Sequence, residues 1–200
     1  MFDLKPSGLD GCFELQPKVF DDDRGRFVKI FHESEFKTLG LEMTFREEYY
    51  SVSHKNVIRG LHFQLPPMDH CKLVCCVSGE ALDAVVDLRV GSPTYGQYAL
   101  FEISDTKANC IYIPKGMAHG FCAMSERVTM LYKVTTVYSQ AHDTGILWDS
   151  AGIPWPRNNV IVSSRDRRFS ALDQFVSPFH FDQAHAQKRN NVKINNNWQK

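Results

Sequence analysis

Short runs rich in Val, Ile, Phe and Tyr recur along most of this 200-residue chain, each closed by turn chemistry. That rhythm points to an all-β sandwich or barrel and leaves little room for helical architecture. Ser78-Gly79, Gly91-Ser92-Pro93, Ser104-Asp105 and Pro114-Lys115-Gly116 supply the turns. The pattern predicts strands over Cys12–Leu15, Phe27–Phe31, Tyr49–Ser53, Val57–Phe63, Lys72–Val77, Ala81–Leu88, Tyr98–Ile103, Cys110–Ile113, Gly120–Met124 and Thr129–Thr136. Helical spacing is confined to Glu33–Leu39 and Ser170–Phe175. Within Ala81–Leu88, Leu82, Ala84, Val86 and Leu88 share one face while Asp83 and Asp87 share the other, which predicts a half-buried strand.

The length suits a single domain with a substantial core, expected over 1–182. Beyond Asp182 the apolar pattern gives way to Gln, Lys and Asn runs, so 183–200 are expected to form a polar, mobile tail. Basic and acidic residues balance at 23 each, so no global field recruits nucleic acid or an anionic membrane. No apolar window approaches the ~20 residues of a membrane span, and the N-terminus lacks the basic-then-apolar order of a signal peptide. A cytoplasmic location is therefore expected. Six cysteines include no C-x-x-C pair and mostly sit in apolar runs, which favours buried reduced thiols over metal ligands or disulfides.

One stretch carries chemistry. Val57-Ile58-Arg59-Gly60-Leu61-His62-Phe63-Gln64, followed by Lys72 in Cys71-Lys72-Leu73-Val74, brings a potential general base and two cations into a β-rich segment, which suits an anionic substrate. Taken alone, each residue has a plainer reading. A strand histidine such as His62 is ordinarily a packed, half-buried residue, Lys72 can snorkel to a rim, and His119 can bond a backbone carbonyl. Tyr132 reads as a core aromatic, and Asp166, within Ser163-Ser164-Arg165-Asp166-Arg167, reads as a solvated loop charge. Arg59 and His62 also have opposite strand parity, so only a bulge near Gly60 or a pocket at the strand edge brings them to one side. Metal-ligand spacing is missing, because Phe63 and Gln64 follow His62, and His70 and His119 stand apart in the sequence.

Together the motifs carry a resemblance. Arg24-Gly25, Ser51-x-Ser53, Val57 to Gln64, Lys72-Leu73-Val74, Gly79-Glu80, Val86-Asp87-Leu88-Arg89, Gly91 to Gly96, Ile113-Pro114-x-Gly116-x-Ala118-His119-Gly120-Phe121, Tyr132-Lys133, Ile146-x-Trp148-Asp149 and Asp166 follow one another in the order seen in dTDP-4-dehydrorhamnose 3,5-epimerases. The chain resembles that family between about residues 5 and 175. The resemblance implies a cupin-type jelly roll that works as a homodimer sharing N-terminal strands, without metal or other cofactor. It implies epimerisation of a nucleoside-diphosphate 4-keto-6-deoxy sugar, in cell-surface polysaccharide or deoxysugar synthesis. By the same carry-over His62 is the base, Asp166 its orienting partner, Lys72 the stabiliser of the enolate oxygen and Tyr132 the proton donor on the opposite face. Arg59 and Arg165 become diphosphate ligands, His119 a supporting donor, and Arg24 a nucleotide contact from the neighbouring subunit. Lys29, Glu47, Tyr49, Ser51, Tyr138 and Asp143 complete the implied substrate contacts.

The chain departs from the family pattern where Lys29 stands in place of a common Glu, where Glu47-Glu48-Tyr49 replaces Gln-x-Asn, and where Asp143 replaces Glu. A carboxylate at position 29 can accept from thymine N3–H, whereas lysine only donates. CDP therefore stays open beside dTDP, as does inversion at C3 or C5 alone. A metal-dependent cupin enzyme and a non-catalytic sugar-nucleotide-binding protein are the readings from other classes.

Overall fold

The computed structural model describes residues 2–42, 44–156 and 159–182. In chain order the strands are β1 (Phe2–Pro6), β2 (Phe13–Pro17), β3 (Val19–Asp22), β4 (Gly25–Val28), β5 (Glu47–His54), β6 (Val57–Gln64) and β7 (Lys72–Ser78). They continue as β8 (Glu80–Asp87), β9 (Tyr98–Ser104), β10 (Cys110–Ile113), β11 (Met117–Ala123), β12 (Arg127–Val134), β13 (Asp143–Gly145) and β14 (Ile161–Val162). One sheet runs β1-β2-β10-β7-β12-β5, and the other runs β13-β6-β11-β8-β9 with β14 added beside β6. Apart from the parallel β14–β6 pair, neighbours within the sheets are antiparallel. The two sheets face each other as a jelly-roll sandwich. Val74, Cys76, Ile111 and Met130 from the first sheet meet Val85, Phe101 and Phe121 from the second. The separate β3–β4 hairpin projects with exposed Phe20 and Phe27.

The predicted strands are all present, with shifted ends. The expected Phe27–Phe31 strand stops at Val28, where its hairpin partner begins at Val19. Phe31 turns instead into an edge-packed aromatic cluster with Phe36 and Phe45, and Phe36 anchors α1 (Glu33–Thr38), the one α-helix among the described residues. Helical spacing over Ser170–Phe175 yields only a 3-10 turn at Leu172–Gln174. Ala171 is extended there, and Ser150 Oγ captures the Leu172 N–H, so no helix can start earlier. Strands β1, β3, β13 and β14 were not expected; they are short or carry charge and proline, and pairing rather than propensity makes them strands.

The largest correction concerns β8. It is not half-buried: Asp83 and Asp87 are both fully enclosed, because β8 is central to its sheet and its aspartates find partners. Asp87 accepts from Arg89, Ser92 and Thr94, and Asp83 accepts from His119. All six cysteines are free and buried. The expected tail, 183–200, lies outside the described residues.

Candidate active site

The parity conflict between Arg59 and His62 is resolved by the backbone. His62 pairs with His119 while Arg59 pairs with Phe121, so three steps along β6 match two along β11. This bulge turns both side chains to one cavity of about 350 Å³. Gly60 sits at its centre with φ +140°, and a Cβ there would lie 2.6 Å from the Gly120 Cα. Any larger residue would push β6 and β11 apart at the place where the cavity wall is set.

His62 Nε2 lies 2.8 Å from Asp166 Oδ1. Asp166 opens a 3-10 turn and its other oxygen accepts the Gly60 N–H, so the carboxylate ties the loop to the bulge. Burial alone would raise this carboxyl, but hydrogen bonds from His62, Gly60 and Ser163 together with the His62 charge outweigh it and hold Asp166 below the usual range. Asp166 is therefore an ionised, buried orienter and not a solvated loop charge. With Nε2 engaged by the carboxylate, Nδ1 is the nitrogen left to take a proton.

Lys72 is 6% exposed and donates to the His62 carbonyl at 3.1 Å, so it does not snorkel. Burial brings its pKa down to about 8, against the pull of Asp143 and Asp83. His119, on β11, bonds Asp83 at 2.7 Å instead of a backbone carbonyl. Burial depresses the imidazole and raises the carboxyl, each opposed by its partner. Tyr132 is buried with its hydroxyl 3.4 Å from Ser51 Oγ and its ring stacked on Tyr49 at 4.8 Å. Desolvation raises its pKa above the ordinary tyrosine value, so the phenol keeps its proton at neutral pH.

Further charged side chains line the cavity around this centre. Arg59 is held by Ser53 Oγ and the Val52 carbonyl, and Arg165 pairs with Asp143 at 2.7 Å while lying over the Phe169 ring. Glu47 accepts the Tyr138 N–H, and both side chains border the cavity. Arg24 and Lys29 are not brought to this cavity within the same chain; Arg24 pairs with Asp22 on the exposed β3–β4 hairpin. Sequence reasoning missed Asp83, which alternation had assigned to solvent, and also Gln64, Phe121 and His70 in the cavity wall. Asp83 stands on the strand of the Val86-Asp87 motif and pairs with the strand of the His119-Gly120 motif, which was the available signal. Among the described residues no three His, Cys, Asp or Glu side chains gather as a metal site would require.

A basic nitrogen oriented by a carboxylate, a cation and a protonated phenol thus converge in a partly enclosed space, which is equipment for moving a carbon-bound proton beside a carbonyl. Comparison with known proteins agrees. The family model described as dTDP-4-dehydrorhamnose 3,5-epimerase matches residues 6–174. The Shigella flexneri dTDP-4-dehydrorhamnose 3,5-epimerase is 40% identical over 168 residues, covering 81% of this chain and 93% of that protein. A Streptomyces niveus dTDP-4-dehydrorhamnose 3-epimerase is 36% identical over 167 residues, covering 82% and 81%. The crystal structure of a 3,5-epimerase from Legionella pneumophila, in complex with dTDP-4-keto-L-rhamnose, superposes with a TM-score of 0.87 at 31% identity, covering 91% of this chain and 100% of that one. The chain belongs to the dTDP-4-dehydrorhamnose 3,5-epimerase family.

Proposed function

We propose that the protein epimerises a nucleoside-diphosphate 4-keto-6-deoxy sugar, inverting C3, C5 or both by removing the proton next to the C4 ketone. The observation that carries this reading is the His62–Asp166 pair facing buried Lys72 and Tyr132 in one cavity. His62 Nδ1 takes the proton, the C–H electron pair becomes the enolate double bond, and the negative charge moves to the C4 oxygen beside the Lys72 ammonium. Tyr132 then gives a proton to the other face of the carbon, and exchange with solvent resets both groups. Arg59 and Arg165 bind the diphosphate, and His119, its Nε2–H held by Asp83, presents Nδ1 as an acceptor at the sugar end and not the donor that the resemblance implied. Incubation with dTDP- and CDP-4-keto-6-deoxyglucose in D₂O should place deuterium at C3, C5 or both. Tyr132→Phe should still admit deuterium through His62 but slow net inversion by about 10²-fold. Equal loss of both signals would mean that Tyr132 only shapes the cavity.

The nucleotide end is completed by a second copy of the chain in this reading. Arg24, Phe20 and Phe27 stand on a hairpin that leaves its own cavity, with Phe27 61% exposed. Such a surface suits a homodimer in which the hairpin reaches the partner's site. Sedimentation should find a dimer. Calorimetry should find no strong preference for dTDP over CDP, and Lys29→Glu should move preference towards dTDP by roughly tenfold to a hundredfold. A strong wild-type preference for dTDP that survives Lys29→Glu would remove Lys29 from base recognition.

A further inference from the structure

His70 lines the same cavity as His62, Lys72 and Tyr132, and the proton-transfer scheme gives it no task. The hydrogens around it can be placed without conflict. Thr136 Oγ1 spends its single hydrogen on the Met68 carbonyl at 2.8 Å, so towards His70 Nδ1, 3.0 Å away, it can only accept. Gln64 Nε2 lies 2.9 Å from the Met68 carbonyl and 3.2 Å from both the Val137 carbonyl and His70 Nδ1; its two hydrogens are spent when they go to the two carbonyls, the stronger acceptors, and its oxygen accepts the Ser139 N–H. With the hydrogens so placed the proton sits on Nδ1, and Nε2 carries a lone pair with no hydrogen-bond partner among the described residues. Burial, helped by the charges of Lys72 and Lys115, pushes His70 down to about 3, so the ring stays neutral through the working range.

The surroundings make that lone pair useful. Arg59, Arg165, Lys72 and Tyr132 offer donors, while the carboxylates of Glu47 and Asp143 are already engaged by Tyr138 and Arg165. A sugar carrying hydroxyls beside its ketone brings donors of its own and needs a neutral acceptor near Lys72. We propose that His70 is a positioning residue for the epimerase, its Nε2 accepting a hydrogen bond from the C2 or C3 hydroxyl of the 4-keto sugar and so setting which ring carbon faces His62. This rests on the epimerase reading above.

The test is steady-state turnover of whichever of dTDP- or CDP-4-keto-6-deoxyglucose the wild type accepts, together with its 2-deoxy and 3-deoxy counterparts. His70→Phe keeps the ring plane and removes the acceptor; it should raise KM about tenfold with kcat within about twofold and leave binding of the nucleoside diphosphate unchanged. His70→Gln, which restores an acceptor, should recover most of that loss. Wild type should lose a similar factor on one of the two deoxy substrates, and His70→Phe should lose nothing further on it. Unchanged KM in His70→Phe, or the same loss on all three substrates, overturns the assignment. If His70→Phe fails to bind the nucleoside diphosphate, the wild-type comparison decides, and equal KM for all three substrates overturns it. No turnover by wild type at all would sink the epimerase reading itself and this inference with it.

Discussion

His62→Ala and Asp166→Asn should each lower solvent exchange at the sugar carbons by about 10²–10⁴-fold, with affinity for the nucleoside diphosphate nearly unchanged. The two substitutions act on one device. Removing the imidazole removes the acceptor of the proton, whereas Asp166→Asn leaves the imidazole without the charge that holds its tautomer and offsets its protonated state. The anchoring groups, Arg59 and Arg165, are bonded to Ser53, Val52 and Asp143 and do not depend on the dyad. Deuterium incorporation followed by NMR, alongside calorimetric titration, separates the two quantities. Near-normal exchange in either variant would show that another group takes the proton.

Lys72→Met should do two opposite things at once. Turnover should fall by several orders of magnitude, since the enolate oxygen loses its cation in a site where that charge is worth several kcal/mol. Stability at neutral pH should rise. A lysine whose pKa falls to about 8 from its ordinary 10.5 carries a burial cost of about 3 kcal/mol when charged. Loss of its hydrogen bond to the His62 carbonyl takes back about 1 kcal/mol, leaving a net gain of about 2 kcal/mol, or roughly 5 °C in Tm. The sign fixes the pH window. Between 8 and 10.5 the unfolded chain binds the proton that the folded chain has released, so wild-type stability climbs with pH there and the advantage of Lys72→Met fades. Thermal melts at pH 7 and pH 10 check this. A variant less stable than wild type at pH 7 would mean that Asp83 and Asp143 already compensate the ammonium in full.

Much of this was legible in the residues. Alternation and turn chemistry located ten of the strands because those features are local. The motifs located His62, Lys72, Tyr132 and Asp166, which the fold gathers although Asp166 is 104 residues from His62. Legibility stopped where a neighbour decides the outcome. The aspartates of β8 look solvent-facing until His119 and Arg89 are known to lie against them. His70 looks isolated until Thr136, 66 residues away, is seen 3.0 Å from its Nδ1. Gly60 marked where a bulge could bring Arg59 and His62 to one side, but whether it does depends on a register shift against β11.

That register shift has a further consequence. Arg59 and His62 are joined by a short stretch of main chain whose course is pinned at Gly60 against Gly120, so the main chain sets the interval between the two side chains. If Arg59 grips the diphosphate and His62 takes the proton, as proposed, the site works as a ruler read from the phosphate end. A sugar joined through a single phosphate, gripped by the same guanidinium, would bring the wrong carbon to the imidazole, and the D₂O experiment would register it as binding without exchange.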